Sequence, residues 1–317
     1  MLIENWLDNN FQKLVDIRRW LHQHPEVGFH EFETSNFCQN LMKQLGCEIH
    51  QTDPMKTGFY CEYGRGDGPI FAVRCDLDAL PIQEINKIDY CSLNLGVSHA
   101  CGHDAHLTNI LGLALYLIEN KIEIPGKVRF LFQPAEEIAP GGAVAMIEGG
   151  AVKGVDHIIG GHILPSLAPD KIGIRYGPMA AAVKQIEVTL TGPGGHTSRP
   201  AESVDLIWAQ SHLVISLEES LRRHLGQQER VVLAFGSVEG GFTCNVLPDE
   251  INMKGTLRFL NASINNKLDI IIDQTIKAVE QLTGAKISWS IPYEAPGLIN
   301  DKSCTEMIIN ASESILG

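Results

Sequence analysis

"IFAVRCDLDALP", residues 70–81, is the stretch on which the fold turns. Residues 70–76 form a short apolar run rich in strand formers, and Asp76 and Asp78 stand at its end. The pattern repeats in "KVRFLFQ" (127–133) and in "DHIIGGHI" (156–163). Between the first two runs lies "AHLTNILGLALYLIEN" (105–120), apolar around most of its girth and so expected as a buried helix. Between the second and third, "GGAVAMIEGG" (141–150) reads as a short helix. Strands that alternate with helices pair in parallel, so the expected class is α/β, a mostly parallel sheet with helices on both faces.

Upstream, residues 2–22 place Ile3, Trp6, Leu7, Leu14, Ile17 and Leu21 at amphipathic-helix spacing, stopped by Pro25. A second helical stretch runs near 31–45 and closes at Gly46. From about Val183 the pattern changes. "KQIEVTLT" (184–191) alternates as a half-exposed strand does, followed by a helix (203–225), strands at 230–238 and 250–260, a helix at 263–282 and a strand at 285–291. That order is βαββαβ, the ferredoxin-like arrangement. The expected organisation is an α/β domain over 1–182, an inserted ferredoxin-like domain over 183–291, and a return to the α/β domain over 292–317, with a helix at 301–316.

The 317 residues, 44% hydrophobic and 20% charged, suffice for a sizeable core and two domains. The net charge of −13 argues against nucleic acid and anionic membrane surfaces, which would repel the chain. No uncharged apolar run approaches the roughly 20 residues that span a bilayer. "MLIENWLDNNFQK" has neither the basic nor the apolar region of a signal peptide. Eight scattered cysteines fit reduced thiols in a cytoplasm, most of them expected as small buried hydrophobes.

Parallel α/β sheets bind ligands at the carboxyl ends of their strands. Asp76 and Asp78 follow the first strand, and Cys101 and His103 of "SHACGHDAH" (98–106) precede the buried helix. Glu136 and Glu137 follow the second strand, and His162 the third. Each residue alone has an ordinary role: a buried thiol, a locally bonded imidazole, a solvated helix start. Together they put thiolate, imidazole and carboxylate at one rim, which is the chemistry of a divalent transition-metal site. Zinc suits this donor set, and manganese, nickel or cobalt also fits. Adjacent glutamates allow one to hold metal while the other moves a proton. His99 and His106 read as structural or supporting residues, and His22 and His24 share no helical face.

"RRWLHQHPEVGFHEFET", "DLDALPIQE", "SHACGHDAH", "FQPAEE", "GGHILP", "GPGGHTSRP", "GGFTCNVLPDE" and "GTLRFL" resemble, in that order, the signatures of the dinuclear-metal amidohydrolases. That family includes N-acyl-amino-acid hydrolases, hippurate hydrolases, auxin-conjugate amidohydrolases and N-acetyldiaminopimelate deacetylases. The resemblance implies a zinc-exopeptidase-like catalytic domain, two divalent metal ions, and an N-acyl amino acid substrate. It implies Cys101, His103, Glu137 and His162 as metal ligands and Glu136 as general base for the metal-activated water. Asp78 matches the carboxylate at the site rim that orients a ligand histidine. His196 matches a histidine that reaches a neighbouring subunit's site and steadies the oxyanion, which makes the inserted domain the homodimer surface. Asn245 and Arg258 match positions near the substrate carboxylate. The family takes a further histidine ligand from a C-terminal stretch. No histidine follows His224 here, so the second catalytic segment is expected to be truncated.

Two other readings of these residues stay open. A thiol hydrolase would pair Cys101 with His103 and leave the glutamate pair unexplained. A catalytically impaired homologue would act as a dimeric binding protein.

Overall fold

The computed structural model describes residues 3–52, 57–168, 170–226 and 228–316. They form two compact units, Met1–Ile172 and Gly173–Gly317. Among the described residues no helix is long and apolar enough to cross a membrane.

In the first unit, helix α1 (Ile3–Gln23) buries Trp6, Ile17 and Leu21. It ends two residues before Pro25, whose ring disfavours helix in the residue ahead of it. Helix α2 (Phe32–Gln44) buries Cys38 and Met42. Strands β1 (His50–Gln51), β2 (Phe59–Gly64), β3 (Ile70–Asp76), β4 (Lys127–Gln133) and β5 (His157–Gly160) form one sheet in the order β1-β2-β4-β3-β5. The buried helix α3 (His103–Glu119) precedes β4, and the short α4 (Gly142–Glu148) precedes β5. Leu107, Leu111 and Leu115 of α3 share a core with Phe59, Val73, Phe130 and Phe132 of the sheet.

Strand β3 runs parallel to both β4 and β5. Strands β1 and β2 were not foreseen, and β2 pairs antiparallel with β4, so the sheet is mixed. Their signal is weak: in "FYCEYG" only Phe59 and Cys61 are buried, while Glu62 pairs across the sheet with Arg129 and Lys127. What matters for the site is that β3, β4 and β5 share one direction. Their carboxyl ends therefore open on one edge.

The cysteine expectation needs correcting. Cys38, Cys61 and Cys75 are buried, but Cys47, Cys91, Cys101 and Cys304 are half-buried and Cys244 is exposed. Cys47, Cys91, Cys101 and Cys244 fall in loops and turns, and of these Cys47 still packs against the core of the first unit.

In the second unit, β6 (Gly177–Ala180) leads to β7 (Ala182–Thr191), which buries Ala182, Lys184, Ile186, Val188 and Leu190 by strict alternation. A two-residue strand β8 (Gly195–His196) follows. Helix α5 (Leu206–Leu225) starts where the Asp205 carboxylate accepts the Trp208 N–H at 3.0 Å. Then come β9 (Val231–Glu239), β10 (Val246–Leu247), β11 (Glu250–Phe259), helix α6 (Asn265–Thr283) and β12 (Lys286–Ala295). Strands β12-β7-β11-β9 form an antiparallel sheet in that order. Leu213 and Leu217 of α5 and Leu268, Ile272 and Ile276 of α6 pack with its inward residues into a single core. The main sheet and its helices thus follow the chain order βαββαβ. Strand β13 (Leu298–Asn300) pairs with β6, β8 pairs with β10, and helix α7 (Lys302–Leu316) ends the described chain.

Candidate metal centre

The edge where β3, β4 and β5 end carries the groups the sequence placed there. Cys101 lies on the turn before α3, and His103 is the first residue of that helix. Gly102 between them has φ +86°, the left-handed region that lets the chain reverse and send both side chains the same way. The donor atoms of Cys101, His103 and His162 lie within 4.8 Å of one another, and so do those of His103, Glu136 and Glu137. Cys101 Sγ is 3.2 Å from His162 Nε2. His103 Nε2 is 3.7 Å from Glu137 Oε1.

Hydrogen bonds decide what these atoms can do. His103 Nδ1 sits 2.8 Å from the Asp78 carbonyl oxygen, and His162 Nδ1 sits 2.7 Å from the Ile163 carbonyl oxygen. A carbonyl only accepts, so both Nδ1 atoms carry the proton. Both Nε2 atoms then present lone pairs to the centre. His103 Nε2 and Glu137 Oε1 are buried and have no hydrogen-bond partner. With both groups unprotonated, two buried acceptors facing each other without a donor are costly. A metal cation between them relieves this, as does a proton on His103, whose pKa burial lowers but Asp78 and Asp76 raise overall. A thiol, two imidazole lone pairs and a carboxylate fit a divalent transition metal on donor chemistry.

The electrostatics agree. Burial and the neighbouring Glu137, Glu136 and Asp76 push the Cys101 thiol up to about 12. A nucleophilic cysteine needs electropositive surroundings, and this one sits among carboxylates. Burial raises the Asp76 carboxyl, but the His106 hydrogen bond and the Arg74 and His103 charges outweigh that and hold it far below the usual range. Asp78 is also lowered against its burial, by His103 and by the Glu137 and Glu136 N–H groups, with Glu137 N–H donating to Oδ2 at 2.9 Å. Asp78 is fully buried beneath the rim. It meets His103 chiefly through its carbonyl oxygen, the carboxylate Oδ1 being 3.5 Å away. Glu136 is raised by partial burial and by the charge of Glu137, against the pull of Arg74 and His103.

The remaining sequence candidates lie in the second unit. His196 pairs with Val246 across β8 and β10, next to Asn245. Gly194 allows this close approach, since a Cβ there would lie 2.6 Å from the Leu247 carbonyl oxygen. His196 Nδ1 accepts the Ser198 N–H at 3.1 Å, which leaves Nε2 protonated as an exposed donor. Arg258 is exposed on β11, opposite Val183 and Val232. It lies eight residues along that strand from Glu250, about 27 Å at the usual rise, and is not gathered with His196 and Asn245.

Two supporting groups escaped the sequence reading. Glu31, fully buried at the start of α2, accepts the Ala135 N–H at 2.7 Å and so fixes the turn into Glu136 and Glu137. Arg74 donates to Asp76 at 2.7 Å and to Gln133 at 2.9 Å, tying the ends of β3 and β4 together. Only the odd position of Arg74 inside an apolar strand hinted at this role.

Comparison with known proteins points the same way. Residues 72–317 match peptidase family M20/M25/M40. The chain is 38% identical over 305 residues to an N-acetyl-L-cysteine deacetylase of Bacillus subtilis, covering 95% of this chain and 72% of that one. It is 35% identical over 299 residues to an N-acyl-L-amino acid amidohydrolase of Geobacillus stearothermophilus, covering 94% of this chain and 80% of that one. The crystal structure of a Bacillus subtilis dinuclear metal-binding peptidase of the M20 family matches with a TM-score of 0.82 and 33% identity, over 96% of this chain and 80% of that one. Matched over most of its length, the chain belongs to peptidase family M20/M25/M40 and is a hydrolase acting on amide bonds.

Proposed function

We propose that this chain hydrolyses the amide bond of N-acyl-L-amino acids, releasing the acyl group and the free amino acid, at a centre of two divalent metal ions. The observation that carries the reading is the convergence of lone pairs from His103 Nε2, His162 Nε2 and Glu137 Oε1 beside the Cys101 sulfur, two of them buried without a donor. Cys101, His103, Glu137 and His162 would hold the metal. Zinc suits these donors, and manganese, nickel or cobalt would serve. When bound, the ions supply Lewis-acid activation of a water and of the amide carbonyl.

Glu136 is the general base. Its raised pKa keeps the carboxylate basic enough to take the proton of the attacking water and to return it to the leaving nitrogen as the C–N bond breaks. Asp78 orients His103. His196 offers its Nε2–H to the oxyanion, with Asn245 toward the substrate carboxylate from the same subunit and Arg258, far along β11 from that pair, from the other subunit. In the same proposal, 183–291 is an insertion between catalytic segments 1–182 and 292–317. It forms the homodimer surface, so that His196 serves a neighbouring subunit. Eight cysteines with no disulfide among the described residues support a reducing, cytoplasmic location.

The test combines metal analysis with a panel of N-acetyl, N-benzoyl and longer N-acyl amino acids. We expect bound divalent metal, loss of hydrolysis on chelation, and its return with zinc or manganese. Hydrolysis that survives complete chelation would refute the reading.

A further inference from the structure

We propose that His106 is a positioning residue for His162, acting through the backbone of Ile163. The proposal rests on the metal-centre reading above but on different atoms. His106 lies on the first turn of α3 and is only 5% exposed. Its Nε2 is 2.9 Å from the Ile163 nitrogen, and its Nδ1 is 2.8 Å from Asp76 Oδ1. An amide N–H only donates, so Nε2 accepts and Nδ1–H donates to Asp76. One tautomer is thereby fixed, and both ring nitrogens are occupied.

The Ile163 peptide groups link the two imidazoles. Its N–H is held by His106, while its carbonyl oxygen accepts from His162 Nδ1 at 2.7 Å. That second bond turns His162 Nε2 toward the Cys101 sulfur. His162 needs such an anchor. It is exposed, and it follows Gly160 and Gly161 past the end of β5. The rings of His106 and His162 also meet edge to face, with centroids 4.7 Å apart. The orientation is referred back to the sheet, since Asp76 is held by Arg74 and Arg74 by Gln133. Asp76, His103 and His106 do place donor atoms within 4.8 Å of one another. Because both nitrogens of His106 are engaged, it acts as a support and not as a ligand.

The test compares His106→Leu, which removes both hydrogen bonds, with His106→Gln, which keeps an acceptor for the Ile163 N–H. In the metal-free protein, amide hydrogen exchange at Ile163 should be slow in the wild type, faster in H106L and slowed again in H106Q. Competition with a chromogenic chelator should show zinc bound roughly 10–100-fold more weakly by H106L, the range for loss of such supporting groups. H106Q should stay close to wild type, with unchanged stoichiometry at saturating zinc. Equal Ile163 exchange in wild type and H106L, or equal zinc affinity, would overturn the proposal. So would a lowered zinc stoichiometry in H106Q, which would make His106 a ligand. Wild-type protein that binds no divalent ion would instead refute the functional reading, and this proposal with it.

Discussion

The sheet edge of the first unit and the candidate residues of the second are built differently. At the edge, histidines are tied to distant parts of the chain: His103 to Asp78, His106 to Asp76, and His162 through its neighbour Ile163, whose N–H is held by His106. Asp76, Asp78 and His103 are almost completely buried. In the second unit His196, Asn245 and Arg258 are exposed. His196 is oriented by Ser198, two residues away, and Asn245 by Thr243, also two away. The first arrangement gathers its donor groups from within one unit and holds several of them buried, the preorganisation that electrostatic catalysis requires. The second presents its side chains outward to solvent. Substitutions at the edge should therefore disturb metal, proton transfer or stability, and those in the second unit should disturb chemistry or binding while leaving metal in place.

The largest effect is expected at Glu136. Glu136→Gln keeps the size and removes the base, so kcat should fall by roughly 10²- to 10⁴-fold with metal content unchanged. Steady-state kinetics beside metal analysis measures both, and a variant retaining most of its kcat would deprive the edge of its proposed base. Next comes His196→Ala. Loss of one oxyanion donor should lower kcat roughly 10²- to 10³-fold, again with metal content intact. Loss of metal in this variant would break the contrast between the two regions.

Much of this contrast is legible in the sequence. The bounds of β3 and β4 coincide with the apolar runs, because strand formers end abruptly at charged or turn residues. Parallel strands share a carboxyl edge, so the gathering of Glu136, Glu137 and His162 follows from reading strand ends, while Cys101 and His103 join them from the start of the helix that leads into β4, a set that the family resemblance also implies. The supports do not. Glu31 and Ala135 are 104 residues apart, and His106 and Ile163 are 57 apart. Each such bond involves a backbone group, which every residue has and no side-chain pattern marks. Strand β2 escapes for a related reason: its pairing with β4 is set by packing and by the Glu62–Arg129 ion pair, not by its own composition.

Holding the edge rigid has a cost that pH should reveal at Glu31. Burial lifts its carboxyl from the ordinary 4.5 to about 7, and its Oε2 has no hydrogen-bond partner. The folded protein therefore holds a proton here that the unfolded chain releases. Stability from this group is intact below pH 4.5 and is lost as pH rises through about 7. The shift corresponds to about 3 kcal/mol. Glu31→Gln cannot ionise, so its stability relative to wild type should improve by about that amount between pH 4 and pH 8. Urea unfolding of both proteins across the range measures the difference, and a difference independent of pH would refute the assignment.

The smallest effect is expected at Arg258, and it sharpens the contrast from the other side. An exposed guanidinium on a strand loses most of its attraction for a carboxylate to solvent and salt. If Arg258 meets the substrate carboxylate, it does so equally before and during reaction, so its removal weakens binding without slowing chemistry. Arg258→Ala should raise KM roughly fivefold at low salt, leave kcat unchanged, and approach wild-type behaviour as salt is added. His196→Ala should show the opposite split, with kcat lost and KM nearly kept. Should Arg258→Ala leave KM untouched even at low salt, substrate recognition in the second unit would rest on the β8–β10 pair that carries His196 and adjoins Asn245, and the length of β11 that separates Arg258 from that pair would be the reason.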